Sequence, residues 1–286
     1  MMHEEYEALR NLLDQQLNLA FPDSCADSNP IFSVMKYGVT TPGKRIRGVL
    51  LVAICDRLSV CREESLPFAV ALEMIHAYSL VHDDMPEMDN DDFRRGLPTC
   101  HSKFGPALAL LAGDGILNYS MEYLLSYRSN YRPAPFMDAM DALYAAAGGK
   151  GMLGGQVLDK LGEKQPLSLE ELLLLHRRKT GALLLAPAAV AQALSGKNGS
   201  SYLHYCEHLG LAFQIKDDLL DIEGNQEALG KRPGKDALEH KSTFVSLLGA
   251  KGARAYLNQE LAAAQALAGQ DSFLCWLAAY TGSRNK

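Results

Sequence analysis

Two acidic clusters carry the strongest chemical signal in the sequence. The first is His82-Asp83-Asp84-Met85-Pro86-Glu87-Met88-Asp89-Asn90-Asp91-Asp92, closed by Arg94-Arg95-Gly96. The second is Gln214-Ile215-Lys216-Asp217-Asp218-Leu219-Leu220-Asp221. Asp217 and Asp221 stand at i and i+4, so on a helix their carboxylates share one face. Like charges packed so closely repel, and cations must hold them together. Ligand sets made only of oxygen favour hard ions, Mg²⁺ above all, which keeps some waters and accepts phosphate oxygens. Asp83 and Asp89 do not fall on one helical face. Pro86 ends the helix, so the chain must loop back to bring Asp89 near Asp83. One acidic run alone fits a solvated helix end. Two of them, each beside apolar helical residues, fit better as two walls around a metal-bridged polyanion, with a diphosphate as the natural guest.

Such a guest also needs direct cationic clamps. Lys44 and Arg47, in Gly43-Lys44-Arg45-Ile46-Arg47, stand at i and i+3 at the start of a helix, where backbone amides also favour an anion. Arg94 and Arg95 follow the first acidic cluster. Lys179 and Thr180 lie in Arg177-Arg178-Lys179-Thr180-Gly181, and Lys231 in Gly230-Lys231-Arg232. Each alone reads equally well as surface charge, and their joint occurrence with the aspartates is the argument. Gly148-Gly149-Lys150-Gly151 does not match the spacing of a phosphate loop and follows no strand, so it is read as a helix connection.

The elements that must position these groups are helices. Long Ala/Leu/Glu-rich stretches dominate, and alternating β-branched runs are missing. About ten helices are expected, near 3–20, 31–37, 44–58, 64–84, 101–127, 136–148, 168–194, 199–222, 236–263 and 271–281. Ser168 and Glu171 suggest a capping box. Gly154 and Gly155 would allow close helix packing. No compositional break divides the 286 residues, so residues 1–286 read as a single all-α domain. The hydrophobic share of 48% excludes disordered and collagen-like classes. A net charge of −6 leaves no basic excess for nucleic acid. The six cysteines are scattered, as in a reduced cytosolic protein. The N-terminus lacks the apolar run of a signal peptide, and the most apolar stretch, 182–194, falls short of the ~20 residues that span a bilayer. A soluble protein is therefore expected.

These motifs resemble the trans-type isoprenyl diphosphate synthases, and among them the bacterial farnesyl type (geranyltranstransferases). The resemblance runs from about residue 30 to the end of the chain. It rests on GKRIRG at 43–48, SLVHDDMPEMDNDDFRRGLPTCHSKFG at 79–105, AGD at 112–114, GGQVLD at 154–159, HRRKTGAL at 176–183, GLAFQIKDDLLDIEG at 210–224, GKRPGKD at 230–236 and HKST at 240–243. It implies the isoprenoid synthase fold, a helical bundle around a central substrate cavity. The implied reaction is head-to-tail condensation of isopentenyl diphosphate with dimethylallyl and then geranyl diphosphate. Asp83, Asp84, Asp89, Asp217, Asp218 and Asp221 would hold Mg²⁺, about three ions per site with substrate bound. Arg94, Lys179 and Lys231 would hold the allylic diphosphate. Thr180 and Gln214 would present oxygens to the cationic carbon, and with Lys179 they form the implied catalytic group. Lys44, Arg47, His76 and Arg95 would bind isopentenyl diphosphate. The departing diphosphate serves as proton acceptor. A cytoplasmic homodimer is implied, with 106–125 a possible interface. Two departures stand out: Gly48 where the motif often has Pro, and Lys216 where Gln is common.

Product length is limited by the pocket floor. Tyr78 lies about 7.5 Å, and Met74 about 13.5 Å, back along the helix from Asp83 on one shared face. A Tyr there looks like a plug that stops growth at the farnesyl length, although it also fits an ordinary core aromatic. Geranyl or geranylgeranyl diphosphate synthesis is the nearest alternative. His82-Asp83 also resembles the dyad of metal-dependent phosphohydrolases, but neither His3 nor His76 is a convincing additional ligand. A class I terpene cyclase would need a different second motif, and a non-catalytic regulatory subunit would have eroded aspartates. The six cluster aspartates equal the net charge, and without them acids and bases balance at 28 each.

Overall fold

The computed structural model describes residues 1–21, 29–163, 165–223 and 242–284. It is all-α, apart from one short hairpin, β1 (Phe93–Arg94) with β2 (Leu97–Pro98). The chain divides into two compact units, His3–Asp138 and Ala139–Lys286. No helix among the described residues is long and apolar enough to cross a membrane. Cys25, Lys231 and the expected helix start at 236–241 lie outside the described residues.

The first unit contains α1 (Met2–Ala20), α2 (Ile31–Thr40), α3 (Ile46–Arg57), α4 (Arg62–Asp83), the hairpin, α5 (Cys100–Phe104), α6 (Pro106–Ser126) and the start of α7 (Pro133–Ala147). α3 is buried from Gly48 to Cys55, and α4 from Pro67 to Ile75. A helix buried all round is a core helix. Leu13, Leu17, Leu50, Leu51, Ile54, Phe68 and Leu72 fill this core. The chemistry-bearing residues Arg47 and Asp83 sit at the ends of these two rigid rods. The expected single helix over 101–127 is two helices. Gly105 separates them at φ 85°, a conformation glycine adopts without cost, and Pro106 starts the second.

The second unit contains the rest of α7, α8 (Met152–Gly162), α9 (Leu169–His176), a single π-helical turn (Arg177–Gly181), α10 (Ala182–Ser195), α11 (Ser200–Glu223), α12 (Phe244–Ala268) and α13 (Ser272–Ser283). The capping box forms: Ser168 accepts from the Glu171 amide, and the Glu171 carboxylate accepts from the Ser168 amide. α11 and α12 enclose an apolar cluster that includes Leu211, Ile215, Leu219, Phe244 and Leu257. Two elements differ from the sequence reading. α8 is a helix beyond the expected ten, formed through Gly154 and Gly155 despite their low helix propensity. The 168–194 helix is interrupted by the π turn, an insertion frequent at functional sites.

Candidate active site

In the first unit the chain doubles back after α4. The Asp89 amide donates to the Asp83 carbonyl at 2.9 Å, and the Asn90 amide to Met85 at 3.0 Å. Asp89 therefore returns to Asp83 as the spacing required. Asn90, at φ 50°, tolerates the left-handed turn. The second member of the pair has another task. Asp84 is buried and grips Arg94, which donates from Nη2 to Oδ1 at 2.6 Å and from Nε to both oxygens. Burial opposes the Arg94 charge, but this carboxylate raises its pKa above the ordinary value. Asp84, expected as a metal ligand, and Arg94, expected on a diphosphate, are thus paired with each other.

The cationic residues of this unit converge. Arg95, left-handed at φ 53°, donates from Nη1 to the Pro42 carbonyl at 2.7 Å. A Cβ on Gly43 would lie 2.5 Å from that nitrogen, so glycine makes room for the guanidinium. Arg47 Nη1 lies 3.2 Å from His76 Nε2 on α4. Burial, then Arg47, Arg95, Arg94 and Arg45, depress the His76 pKa well below the usual histidine range. A neutral imidazole among guanidiniums suits an anion-binding pocket. Lys44 precedes α3, and the Tyr6 hydroxyl donates to its carbonyl. The helix amide expected to receive an anion is partly used already: the Gly48 amide donates to Glu73 Oε1 at 2.8 Å.

Met74 and Tyr78 are both buried on α4. Burial, helped by Asp83, pushes the Tyr78 hydroxyl up to about 12. His82 points its Nε2 at the Leu110 carbonyl, in the space left by Gly113. That orientation speaks against a phosphohydrolase dyad.

The second unit gathers the other named residues. Lys179 and Thr180 sit on the π turn. Lys179 Nζ donates to Asp159 Oδ2 on α8 at 2.5 Å, and Thr180 Oγ1 donates to Gln214 Oε1 on α11 at 2.6 Å. Close backbone approach makes this possible. A Cβ on Gly155 would lie 2.0 Å from the Lys179 amide nitrogen, and one on Gly210 would lie 3.4 Å from Gly181 Cα. Asp217 is half exposed and pairs with Arg284 at 2.8 Å. Asp218 is buried, and its Oδ2 accepts the Phe244 amide at 2.7 Å. Asp221 lies one turn on from Asp217 along α11.

No three His, Cys, Asp or Glu side chains among the described residues form a ready metal cage. The donor set still fits Mg²⁺, which binds through one or two carboxylates, waters and substrate phosphates. Sequence reading missed Asp159, Phe244, Arg284, Glu73 and Arg45. Asp159 carried a signal, since it closes the GGQVLD motif. Arg45 sits inside GKRIRG and Glu73 on the helix of His76 and Asp83, but their partners, like those of Phe244 and Arg284, are far away in sequence.

Residues 28–271 match the family model described as Polyprenyl synthetase. The chain belongs to the polyprenyl synthetase family. A farnesyl diphosphate synthase of Bacillus subtilis (strain 168) is 41% identical over 256 residues, 88% of this chain and 84% of that protein. A farnesyl diphosphate synthase of Geobacillus stearothermophilus is 43% identical over 235 residues, 81% of this chain and 79% of that protein. The apo crystal structure of an FPP/GFPP synthase from Zymomonas mobilis superposes with a TM-score of 0.87 at 33% identity, covering 98% of each chain. As a polyprenyl synthetase the protein is a prenyltransferase with the all-α isoprenoid synthase fold, and its family acts on isoprenoid diphosphates.

Proposed function

We propose that this polyprenyl synthetase makes (2E,6E)-farnesyl diphosphate. It condenses isopentenyl diphosphate with dimethylallyl diphosphate, then with geranyl diphosphate, releasing diphosphate each time. The observation that carries the reading is the return of Asp89 to Asp83 beside a convergent Arg45, Arg47, Arg94, Arg95 and His76 group. That arrangement suits diphosphate-bearing substrates.

The residues would divide the work as follows. Lys44, Arg47, His76 and Arg95 hold isopentenyl diphosphate, with His76 neutral and able to donate. Arg94, Lys179 and Lys231 hold the allylic diphosphate. The Thr180–Gln214 hydrogen bond fixes two side-chain oxygens, whose dipoles stabilise the allylic cation. Asp83, Asp89, Asp217 and Asp221, with Asp84 and Asp218 beside them, would hold magnesium. When bound, magnesium supplies positive charge that stabilises the departing diphosphate. That diphosphate takes the proton lost after carbon–carbon bond formation. Tyr78 closes the pocket at fifteen carbons.

We further read residues 1–286 as one polyprenyl synthase domain, working as a cytoplasmic homodimer. The five described cysteines are free, as in a reducing compartment. On α6, Leu108, Leu111, Met121 and Leu125 are exposed apolar residues that suit a subunit interface. Incubation with labelled isopentenyl diphosphate, each allylic starter and Mg²⁺, followed by chain-length analysis, tests the activity. Fifteen-carbon product that disappears with EDTA is expected. Absence of condensation overturns the reading, and a twenty-carbon main product overturns its chain length.

A further inference from the structure

Glu73 is a carboxylate with only 2% of its side chain exposed, and the proposed mechanism gives it no task. It lies on α4 one turn before His76, on the same face. Its Oε1 accepts the Gly48 amide at 2.8 Å, and its Oε2 lies 3.8 Å from Arg45 Nη1. Both partners belong to the GKRIRG segment.

Gly48 is the third residue of α3, so its amide is one of the donors that a helix start leaves without an intrahelical partner. The helix lacks the usual remedy. Its N-cap residue is Arg45, which makes no side-chain capping bond and is left-handed at φ 51°, ψ 30°. That conformation is costly for a residue with a Cβ and persists only where the surroundings impose it. Here the guanidinium is buried and bonded on several sides. It donates to Asp14 Oδ1 at 2.7 Å, to the Thr41 carbonyl at 2.9 Å and to the Val39 carbonyl at 3.2 Å, with Glu73 beside it. A carboxylate from α4 therefore caps α3, where the helix dipole favours negative charge. The fit is close, because a Cβ on Gly48 would lie 3.1 Å from Glu73 Cγ and 2.9 Å from Leu13 Cδ1.

α4 thus grips the start of α3 at two successive points: Glu73 holds Gly48 and Arg45, and His76 meets Arg47. We propose that Glu73 is a positioning residue that sets the bearing of Lys44 and Arg47 toward isopentenyl diphosphate. This rests on the reading above that Lys44, Arg47, His76 and Arg95 bind that substrate.

The test is steady-state kinetics with each substrate varied separately, on the full chain, with thermal melting alongside. Glu73→Gln keeps an acceptor for Gly48 and loses the charge facing Arg45, whereas Glu73→Leu loses both. KM for isopentenyl diphosphate should rise about threefold in the first and about tenfold in the second, since a misaimed Arg47 weakens a charge-assisted hydrogen bond to the substrate that is worth on the order of a factor of ten. KM for geranyl diphosphate should stay within about twofold. Arg47→Gln is the control for the site itself. If Arg47→Gln leaves KM for isopentenyl diphosphate unchanged, the site assignment fails. If Arg47→Gln raises it but Glu73→Gln and Glu73→Leu only lower the melting temperature, or raise both KM values alike, Glu73 is merely structural and the proposal is overturned. Should Glu73→Leu fail to fold, the near-isosteric Glu73→Gln decides alone.

Discussion

Gly155→Ala isolates what the backbone contact between α8 and the π turn contributes. The added Cβ would lie 2.0 Å from the Lys179 nitrogen, 2.4 Å from Lys179 Cα and 2.6 Å from the Arg178 carbonyl carbon. Ordinary contact begins at 3.4 Å, and all three atoms are backbone, so no side chain can swing away. The two segments must part by about 1.4 Å. Overpacking of this kind costs about 1–3 kcal/mol, which lowers the melting temperature of a chain this size by several degrees. The displacement falls on the turn that carries Lys179 and Thr180. It also pulls Asp159 from Lys179 and strains the Thr180–Gln214 bond. A shift of roughly 1 Å in a positioning group costs on the order of a hundredfold in rate. Condensation at saturating substrates should therefore fall about a hundredfold, in a protein that circular dichroism shows to be folded. Gly149→Ala is the internal control, because a Cβ there would meet nothing within 4 Å and the residue belongs to the same glycine-rich stretch. A Gly155→Ala enzyme within threefold of the parent would show that the close approach does not position the turn, and the reasoning would fail.

On the proposed reading that Tyr78, buried on α4, limits product length, Tyr78→Ala should give products longer than fifteen carbons in chain-length analysis; unchanged products would reduce Tyr78 to a core aromatic. His176 stacks on Phe244 with 5.4 Å between ring centres, and neither of its ring nitrogens has a hydrogen-bond partner among the described residues. Burial lowers its pKa to about 4, with Asp159 opposing and Lys179 adding to the shift. The unfolded chain then takes up the proton first, so stability is lost as the pH falls from about 6.5 to about 4, by about 3 kcal/mol from this group. His176→Phe should flatten that slope in urea unfolding at pH 7 and pH 5, and an identical slope would exclude His176 as its source. Arg284 lies 3.7 Å from the Phe213 ring centre, donates to the Phe213 carbonyl and pairs with Asp217. Arg284→Ala should destabilise the protein by about 2 kcal/mol in urea titration, whereas an unchanged midpoint would make the C-terminal contact incidental.

The composition of local segments made much of the protein legible. Helical periodicity, the Ser168–Glu171 box and Pro86 marked helices and their ends. The spacing of Asp83 and Asp89 around that proline required the turn that the Asp89–Asp83 hydrogen bond closes. Motif order pointed to the family. A helix hidden in glycine-rich sequence was not legible, because α8 owes Gly155 to a neighbour 24 residues away in the chain, the Lys179 backbone.

Nor could the sequence divide the work within each aspartate pair. Asp83 and Asp84 look equivalent as letters, as do Asp217 and Asp218. Only packing turns Asp84 toward Arg94 and Asp218 toward the Phe244 amide. Residue type and spacing determine which charges are available and on which element they lie. Which charge stays available to a ligand depends on burial, since a buried carboxylate must take the nearest donor that the fold provides. For two buried carboxylates that donor came from a distant segment, Phe244 for Asp218 and Gly48 for Glu73, and the half-exposed Asp217 also takes a distant partner, Arg284.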